Sequence, residues 1–102
     1  MSNEEFLKIT KALGDSTRLK ILQIISRRNS ICACNILEEL HITQGTLSHH
    51  MKVLADLKLV EVERDGRWCH YTLKRENICA VVAFIKDICL EKKDDIKACS
   101  CK

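Results

Sequence analysis

The chain opens with apolar residues at the three- to four-residue spacing that is typical of amphipathic helices. One predicted helix covers about residues 4–13 and ends at Gly14. A second helix follows at once, with Asp15 or Ser16 as its N-terminal cap. The apolar positions that keep this period are Phe6, Ile9, Leu13, Leu19, Leu22 and Ile25. Both helices are therefore expected to pack one side against a core.

A third, shorter helix is predicted over about residues 32–40, and a turn follows at residues 41–42. Thr43 is a suitable cap for a fourth helix that extends to about residue 57. The inward positions of these two helices are Ile36, Leu37, Leu40, Leu47, Met51 and Leu54. Two helices joined by so short a turn have the form of a helix-turn-helix.

After Leu59 the apolar period changes to two, which predicts a β-hairpin. Asp65-Gly66 is the predicted two-residue turn, and counting outward from it places Arg64 opposite Arg67. Two facing arginines repel each other, so a polyanion explains their presence better than stability does. A hairpin after a helix-turn-helix predicts a winged helix-turn-helix, a mainly α fold with a β-hairpin wing.

The last predicted helix covers about residues 76–92 and has a wide apolar face. This face consists of Ile78, Val81, Val82, Ile85, Ile88 and Cys89. Residues 93–102 include few apolar side chains and are predicted to form a flexible tail that contains cysteines. We therefore expect one domain over residues 1–92, with Cys69 and Cys89 in its core, followed by this tail.

Composition narrows the class of protein. A chain of 102 residues suits a single domain, and one this small favours a dimer because a monomer leaves much of its surface exposed. No apolar run approaches the roughly 20 residues that cross a bilayer, and the acidic start leads into no signal-like segment. Seven cysteines, an odd number, indicate free thiols in the cytoplasm. The net charge of +3 does not by itself establish a nucleic-acid partner.

Three stretches of the chain carry a family resemblance. Residues 12–22, which include Gly14-Asp15-x-x-Arg18, residues 42–54, which include Ser48-His49-His50, and residues 60–71 resemble the ArsR/SmtB metalloregulators. The resemblance extends over roughly residues 5–90. It implies a homodimeric repressor that binds double-stranded operator DNA and releases it when a metal ion or metalloid binds.

The predicted DNA-binding residues lie on the fourth helix and on the wing. Short polar side chains in the first turns of a recognition helix can reach base edges, whereas basic side chains hold phosphate. The candidates are Gln44, Thr46, Ser48, His49, Lys52, Arg64 and Arg67. A solvated helix face is the alternative interpretation of the helical residues.

Cys32-Ala-Cys34 is the predicted metal site, because many arsenic-responsive members of the family carry Cys-x-Cys at the start of this helix. The positive end of a helix lowers a thiol pKa, and the thiolate binds soft ions. Positions i and i+2 of a regular helix lie about 200° apart, so both sulfurs reach one ion only if the first turn distorts. Such a distortion next to the recognition helix would serve as the switch.

The commonest arsenic pattern has a further cysteine where this chain has Leu37, so the site needs other ligands. Cys99 and Cys101 of the tail are the candidates, from the same chain or from the dimer partner. Three sulfurs suit As(III) or Sb(III), whereas four suit Cd(II), Pb(II) or Zn(II). No histidine follows residue 70, so the zinc site that some family members build on the last helix has no counterpart.

Two alternatives keep the DNA-binding module, namely a cadmium- or lead-type sensor and a repressor that responds to thiol oxidation or persulfidation. A third alternative treats the thiols as incidental surface groups. An enzyme is not expected, because the chain has neither a Cys-x-x-Cys motif on a βαβ pattern nor an evident acid–base pair.

Overall fold

The computed structural model describes residues 1–90 as five helices and a small three-stranded antiparallel sheet. The elements are α1 (Asn3–Leu13), α2 (Ser16–Ser26), β1 (Ile31–Cys32), α3 (Ala33–Leu40), α4 (Gln44–Asp56), β2 (Val60–Asp65), β3 (Trp68–Leu73) and α5 (Arg75–Cys89). The predicted fold class, mainly α with a β-hairpin wing, is confirmed. Strand β1 is an addition, since two residues are too few to produce a periodic signal in the sequence.

Capping side chains determine where the first, second and fourth helices begin. Ser2 and Glu5 form a reciprocal capping box at α1, with bonds of 2.9 and 3.1 Å. Asp15, rather than Ser16, caps α2. Thr43 caps α4 as predicted, because its hydroxyl accepts the backbone N–H of Thr46 at 3.1 Å.

The core lies between α2, α3, α4 and the sheet. Its fully buried side chains are Ile21, Ile25, Ile36, Leu47, Leu54 and Leu59. The helical period of α2 is shifted from the predicted one, because Leu19 is 46% exposed whereas Ile21 and Ile24 are buried. This core fixes α4 on its apolar side and leaves its polar side free.

The sheet has the strand order β1-β3-β2, so β3 connects the short edge strand to the hairpin. Ile31 and Cys32 of β1 are opposite Tyr71 and His70 of β3. The residue that carries the first thiol of the predicted metal site is therefore paired with a strand of the wing.

The predicted register of the hairpin is wrong by two residues. Asp65 is opposite Trp68, so the turn residues are Gly66 and Arg67, and Arg64 is opposite Cys69 rather than Arg67. Of the two turn residues only Gly66 has a positive φ, 65°, and glycine in the first turn position is the signature of a type II′ turn. A shift by an even number leaves every side chain on its predicted face.

The apolar face of α5 is only partly covered by the chain. Val81 is buried, but Val82, Ile85 and Ile88 are 57%, 49% and 72% exposed. Cys69 is half-buried, and Cys89 is exposed, so the expectation that Cys89 lies in the core is wrong. Helix α5 ends at Cys89, and the predicted tail of residues 93–102 falls outside the described residues.

Within residues 1–90, no helix combines the length and the apolar character that a membrane span requires.

Candidate functional site

Helix α4 presents a polar face to solvent. The predicted DNA-binding residues of this helix are all exposed: Gln44, Thr46, Ser48, His49 and Lys52. The hydroxyl of Thr46 accepts a bond of 2.9 Å from the capping hydroxyl of Thr43, which ties it to the start of the helix. The Lys52 ammonium lies 3.4 Å from Asp56, and because both side chains are mostly exposed this ion pair is weak and easily exchanged for another anion.

A groove of about 620 Å³ separates α4 from the wing. Met51, Ala55, Val62 and Tyr71 line it together with three of the predicted DNA-binding residues: Ser48, Lys52 and Arg64. Burial raises the pKa of Tyr71 to about 12, so its hydroxyl stays protonated at neutral pH. The structure therefore brings the helical and wing candidates to one concave surface with two cationic groups at its edge.

The remaining wing candidate lies at the tip of the hairpin. Arg67 is the second residue of the turn and is exposed, as are Asp65 and Gly66 beside it. The two wing arginines are therefore staggered along the hairpin, and the predicted repulsion between facing guanidinium groups does not arise from this register. The argument for an anionic partner therefore rests on the exposure of Arg64 and Arg67 and no longer on their mutual repulsion.

The Cys32 and Cys34 thiols are in direct contact. The Sγ atom of Cys34 donates to the Sγ atom of Cys32 at 2.9 Å. Cys32 is the cap residue of α3, with φ −77° and ψ 144°, and the helix begins only at Ala33. Because Cys32 has extended backbone, the 200° separation expected for two helical positions does not apply. No distortion of the first turn is needed to bring the two sulfurs together, which corrects the sequence-based expectation.

The contact shifts the pKa values of the two thiols in opposite directions. The hydrogen bond from the Cys34 thiol is the main cause that lowers the pKa of Cys32. The backbone N–H groups of Cys34 and Asn35 lie near the sulfur and lower this pKa further, although Cys32 forms no side-chain capping hydrogen bond. The pKa of Cys34 is raised, first because its proton is engaged with Cys32. The lowered pKa expected for a thiol at a helix start therefore holds for Cys32 and fails for Cys34.

The described residues supply only part of a metal site. Within residues 1–90, no three His, Cys, Asp or Glu side chains are grouped so that they could hold a metal ion. Two thiolates that share a tetrahedral ion at about 2.3 Å each are about 3.8 Å apart, so this pair has to open by about 1 Å to hold such an ion. The other predicted ligands, Cys99 and Cys101, fall outside the described residues.

Sequence reasoning did not single out Arg18, whose guanidinium contacts α4. Its Nε atom donates to Nδ1 of His50 at 3.1 Å, and its Nη1 atom donates to the carbonyl of Ala12 at 3.2 Å. The only signal in the sequence was that Arg18 and His50 belong to two of the stretches that carry the family resemblance.

A helix-turn-helix, an adjoining hairpin and a polar helix face beside it define a winged helix-turn-helix DNA-binding protein. Residues 15–62 match the family described as "Bacterial regulatory protein, arsR family". The chain is 47% identical over 73 residues to an arsenical resistance operon repressor of Staphylococcus aureus, an alignment that covers 72% of this chain and 69% of that protein. The chain therefore belongs to the ArsR family of transcriptional regulators.

Two further comparisons agree with this assignment. The chain is 31% identical over 75 residues to a cadmium resistance transcriptional regulatory protein homologue of Staphylococcus aureus, covering 74% of this chain and 62% of that one. An ArsR-like transcriptional regulator from a Rhodococcus species has the same fold, with a TM-score of 0.73 and 24% identity over 83% of this chain and 79% of that chain. These relatives are regulators of transcription rather than enzymes.

Proposed function

We propose that this protein is a homodimeric repressor that binds operator DNA in the cytoplasm and releases it when cysteine thiolates capture As(III) or Sb(III). The observation that carries the proposal is the 2.9 Å contact between the thiols of Cys32, on a strand paired with the wing, and Cys34, in the first turn of α3. A relative 47% identical over 73 residues is named an arsenical resistance operon repressor, which supports a metalloid as the inducer.

The DNA-binding half of the proposal depends on the exposed face of α4 and on the wing. We assign base contacts to Gln44, Thr46, Ser48 and His49, whose side chains are short or planar and exposed. We assign phosphate contacts to three exposed cations: Lys52 and Arg64, which line the groove from its two sides, and Arg67 at the tip of the hairpin.

The exposed apolar face of α5 supports the homodimer of this proposal. Val82, Ile85 and Ile88 form a stripe that the described chain leaves about half exposed or more, and Leu7 of α1 is 64% exposed. An exposed stripe of this kind is typical of a protein interface. Two copies related by a twofold axis would present two recognition helices to an operator of matching symmetry.

The inducer half needs ligands beyond the described pair. We propose that Cys99 or Cys101, from the same chain or from the partner, completes the site. Three thiolates favour As(III) or Sb(III), and a fourth would favour Cd(II), Pb(II) or Zn(II). The cadmium resistance regulator among the relatives keeps that second set of ions open.

Release of DNA is transmitted, in this proposal, through the start of α3 and the sheet. Cys32 is both the cap of α3 and the partner of His70 in β3, and β3 continues into the hairpin that carries Arg64 and Arg67. When the two sulfurs open to share an ion, the backbone at Cys32 shifts and the wing changes its position relative to α4. Helix α4 and the wing, which contact the operator together, then no longer match its grooves, and the affinity for DNA falls.

The test is release of a fluorescein-labelled duplex, selected by the protein from a random-sequence library, on addition of arsenite, antimonite or cadmium. We expect arsenite to release the duplex from the wild-type protein. A Cys32→Ser/Cys34→Ser variant should bind the duplex and keep it bound when arsenite is added. A Cys79→Ser variant, which removes an exposed thiol of α5, is the matched control and should respond normally. Normal release of the Cys32/Cys34 variant by the same ion would refute the proposal.

The order of thiol reactivity is a separate check on the site. Because the pKa of Cys32 is lowered and that of Cys34 is raised, the Cys32 thiolate is present at lower pH. As the pH is raised, iodoacetamide should therefore label Cys32 before Cys34, as mass spectrometry of timed samples would show. Equal labelling of the two thiols at every pH would contradict the described contact.

Oxidation is the second candidate for the inducing signal, and the same thiol contact favours it. Two thiols that already touch can pass two electrons and two protons to hydrogen peroxide, which yields a disulfide and two water molecules. A bridge from Cys32 or Cys34 to the tail is the other form of this hypothesis. Release by peroxide or polysulfide without metal, reversed by a dithiol, would favour oxidation over metalloid capture.

A further inference from the structure

Within residues 1–90, helix α4 is attached to another helix by one side-chain hydrogen bond as well as by its apolar stripe. The half-buried Arg18 side chain donates from Nε to Nδ1 of His50 at 3.1 Å and from Nη1 to the backbone carbonyl of Ala12 at 3.2 Å. Its third partner is Asp15, 4.0 Å away, which also caps α2. One guanidinium therefore connects the end of α1, the start of α2 and the middle of α4.

The chemistry of this contact restrains the histidine. Nδ1 accepts the bond from Arg18, so the neutral ring carries its proton on Nε2, and the ring orientation is fixed by a donor that is always charged. His49, the adjacent residue, is exposed, whereas His50 is half-buried. The two neighbouring histidines thus have different surroundings, and among the described residues only His50 has a hydrogen-bond partner on another helix.

The position of the contact along α4 matters for recognition. His50 follows Ser48 and His49 directly, and it lies on the same helix as Gln44 and Thr46. The inner stripe of α4 is purely apolar, and apolar packing tolerates small shifts better than a directed hydrogen bond does. The Arg18–His50 bond is the described contact that resists rotation or sliding of α4 at this point.

We propose that Arg18 and His50 are positioning residues for DNA recognition, and that their bond holds α4 at the angle and depth at which its exposed side chains meet the bases. Neither residue contacts DNA in this proposal. The inference rests on the DNA-binding half of the proposed function and adds to it two residues that act through the helix. It also gives a physical reason for the pairing of Gly14-Asp15-x-x-Arg18 with Ser48-His49-His50 in one chain.

The experiment compares four variants on the selected duplex and on a scrambled duplex of the same length. His50→Leu removes the acceptor, and His50→Asn keeps an acceptor oxygen at the same bond distance as Nδ1. Arg18→Met keeps the apolar stem without the donors, and the fourth variant combines Arg18→Met with His50→Leu. Affinity is measured by fluorescence anisotropy at several salt concentrations, under conditions in which urea unfolding shows each variant to be folded.

We expect His50→Leu and Arg18→Met each to weaken binding to the selected duplex about tenfold, because one charge-assisted hydrogen bond is lost. The double variant should lose about the same tenfold rather than about a hundredfold, since both changes remove the same bond between Arg18 and α4. His50→Asn should bind within about threefold of wild type. The salt dependence should stay unchanged, whereas loss of a phosphate contact would reduce its slope by about 0.9.

Three results would overturn the inference. In the first, the double variant loses affinity by the product of the two single losses; in the second, His50→Asn binds the duplex as weakly as His50→Leu. In the third, His50→Leu shows a smaller salt dependence of binding than wild type. The last result would place His50 on the DNA itself. If the wild-type protein selects no duplex from the library, the proposed function fails instead. The two failures are therefore distinguishable.

Discussion

Helices α4 and α5 both carry an apolar stripe at helical spacing, but the chain covers only one of them. Leu47, Met51 and Leu54 of α4 are at most 2% exposed, whereas Ile85 and Ile88 of α5 are 49% and 72% exposed. The sequence pattern is equally clear in the two helices. The comparison shows that periodicity identifies the apolar side of a helix and does not tell whether the same chain or a second copy packs on it.

The largest expected effect comes from a substitution that disrupts the proposed contact between two copies of the chain. Ile85→Glu places a carboxylate in the middle of the α5 stripe of each copy, and burying such charges without partners is costly. We expect self-association, measured by analytical ultracentrifugation, to weaken by about 1,000-fold. Ala83→Glu introduces the same charge about 160° away around the helix and is the matched control. Unchanged association of Ile85→Glu would show that α5 is not the interface.

The next largest effect is a difference in stability between a substitution in the covered stripe of α4 and one in the exposed stripe of α5. Leu54→Ala leaves a cavity in the core and should lower the free energy of unfolding by about 3 kcal/mol. Ile88→Ala should change it by less than about 0.5 kcal/mol. Urea unfolding of both changes in the Ile85→Glu background excludes a contribution from association. Equal losses would mean that the chain itself covers Ile88.

A chemical footprint can report which side of α5 a partner covers. Cys89 lies on the side of Val82 and Ile85, whereas Cys79 lies toward the edge of the stripe, and both thiols are exposed in the single chain. Alkylation of Cys89 should be about tenfold slower in wild type than in Ile85→Glu, because access to the thiol is lost in the dimer. Cys79 should react equally in the two proteins, as peptide mass spectrometry would verify.

The smallest expected effect concerns the contact that joins α1 to α5 within one chain. The Phe6 and Phe84 rings are stacked, with centroids 4.2 Å apart and planes 17° from parallel. Phe84→Leu should lower the free energy of unfolding by about 1 kcal/mol. Phe6→Leu should cost a similar amount, and the double variant should cost less than the sum. Additive losses would argue that the rings do not act as a pair.

The sequence predicts the parts of this fold whose signals are local. The helix starts at Asp15 and Thr43 and the inner stripe of α4 follow from cap chemistry and period. The exposure of the candidate DNA-binding residues follows from the same period. The hairpin after two closely spaced helices predicts the winged helix-turn-helix, and the family resemblance adds the regulatory class; both are confirmed.

The parts that could not be predicted depend on pairing between distant residues. A two-residue strand has no period, so nothing in Ile31-Cys32 indicated its alignment with Tyr71 and His70. The hairpin register depends on the position of Gly66 in the turn: the sequence predicts it second, after Asp65, whereas the structure has it first, before Arg67. The thiol contact was missed because Cys32 was placed inside the helix, although it is the residue just before it.

The placement of the thiols at an edge has a consequence for how such a regulator diversifies. Cys32 is the end of an edge strand and Cys34 is exposed in the first turn of α3, so neither side chain belongs to the buried core. If the two thiols capture the inducer as we propose, replacing them changes which inducer the protein answers, at little cost in stability. One scaffold can thus acquire a new inducer by a few surface substitutions while the surface that reads the promoter is inherited intact.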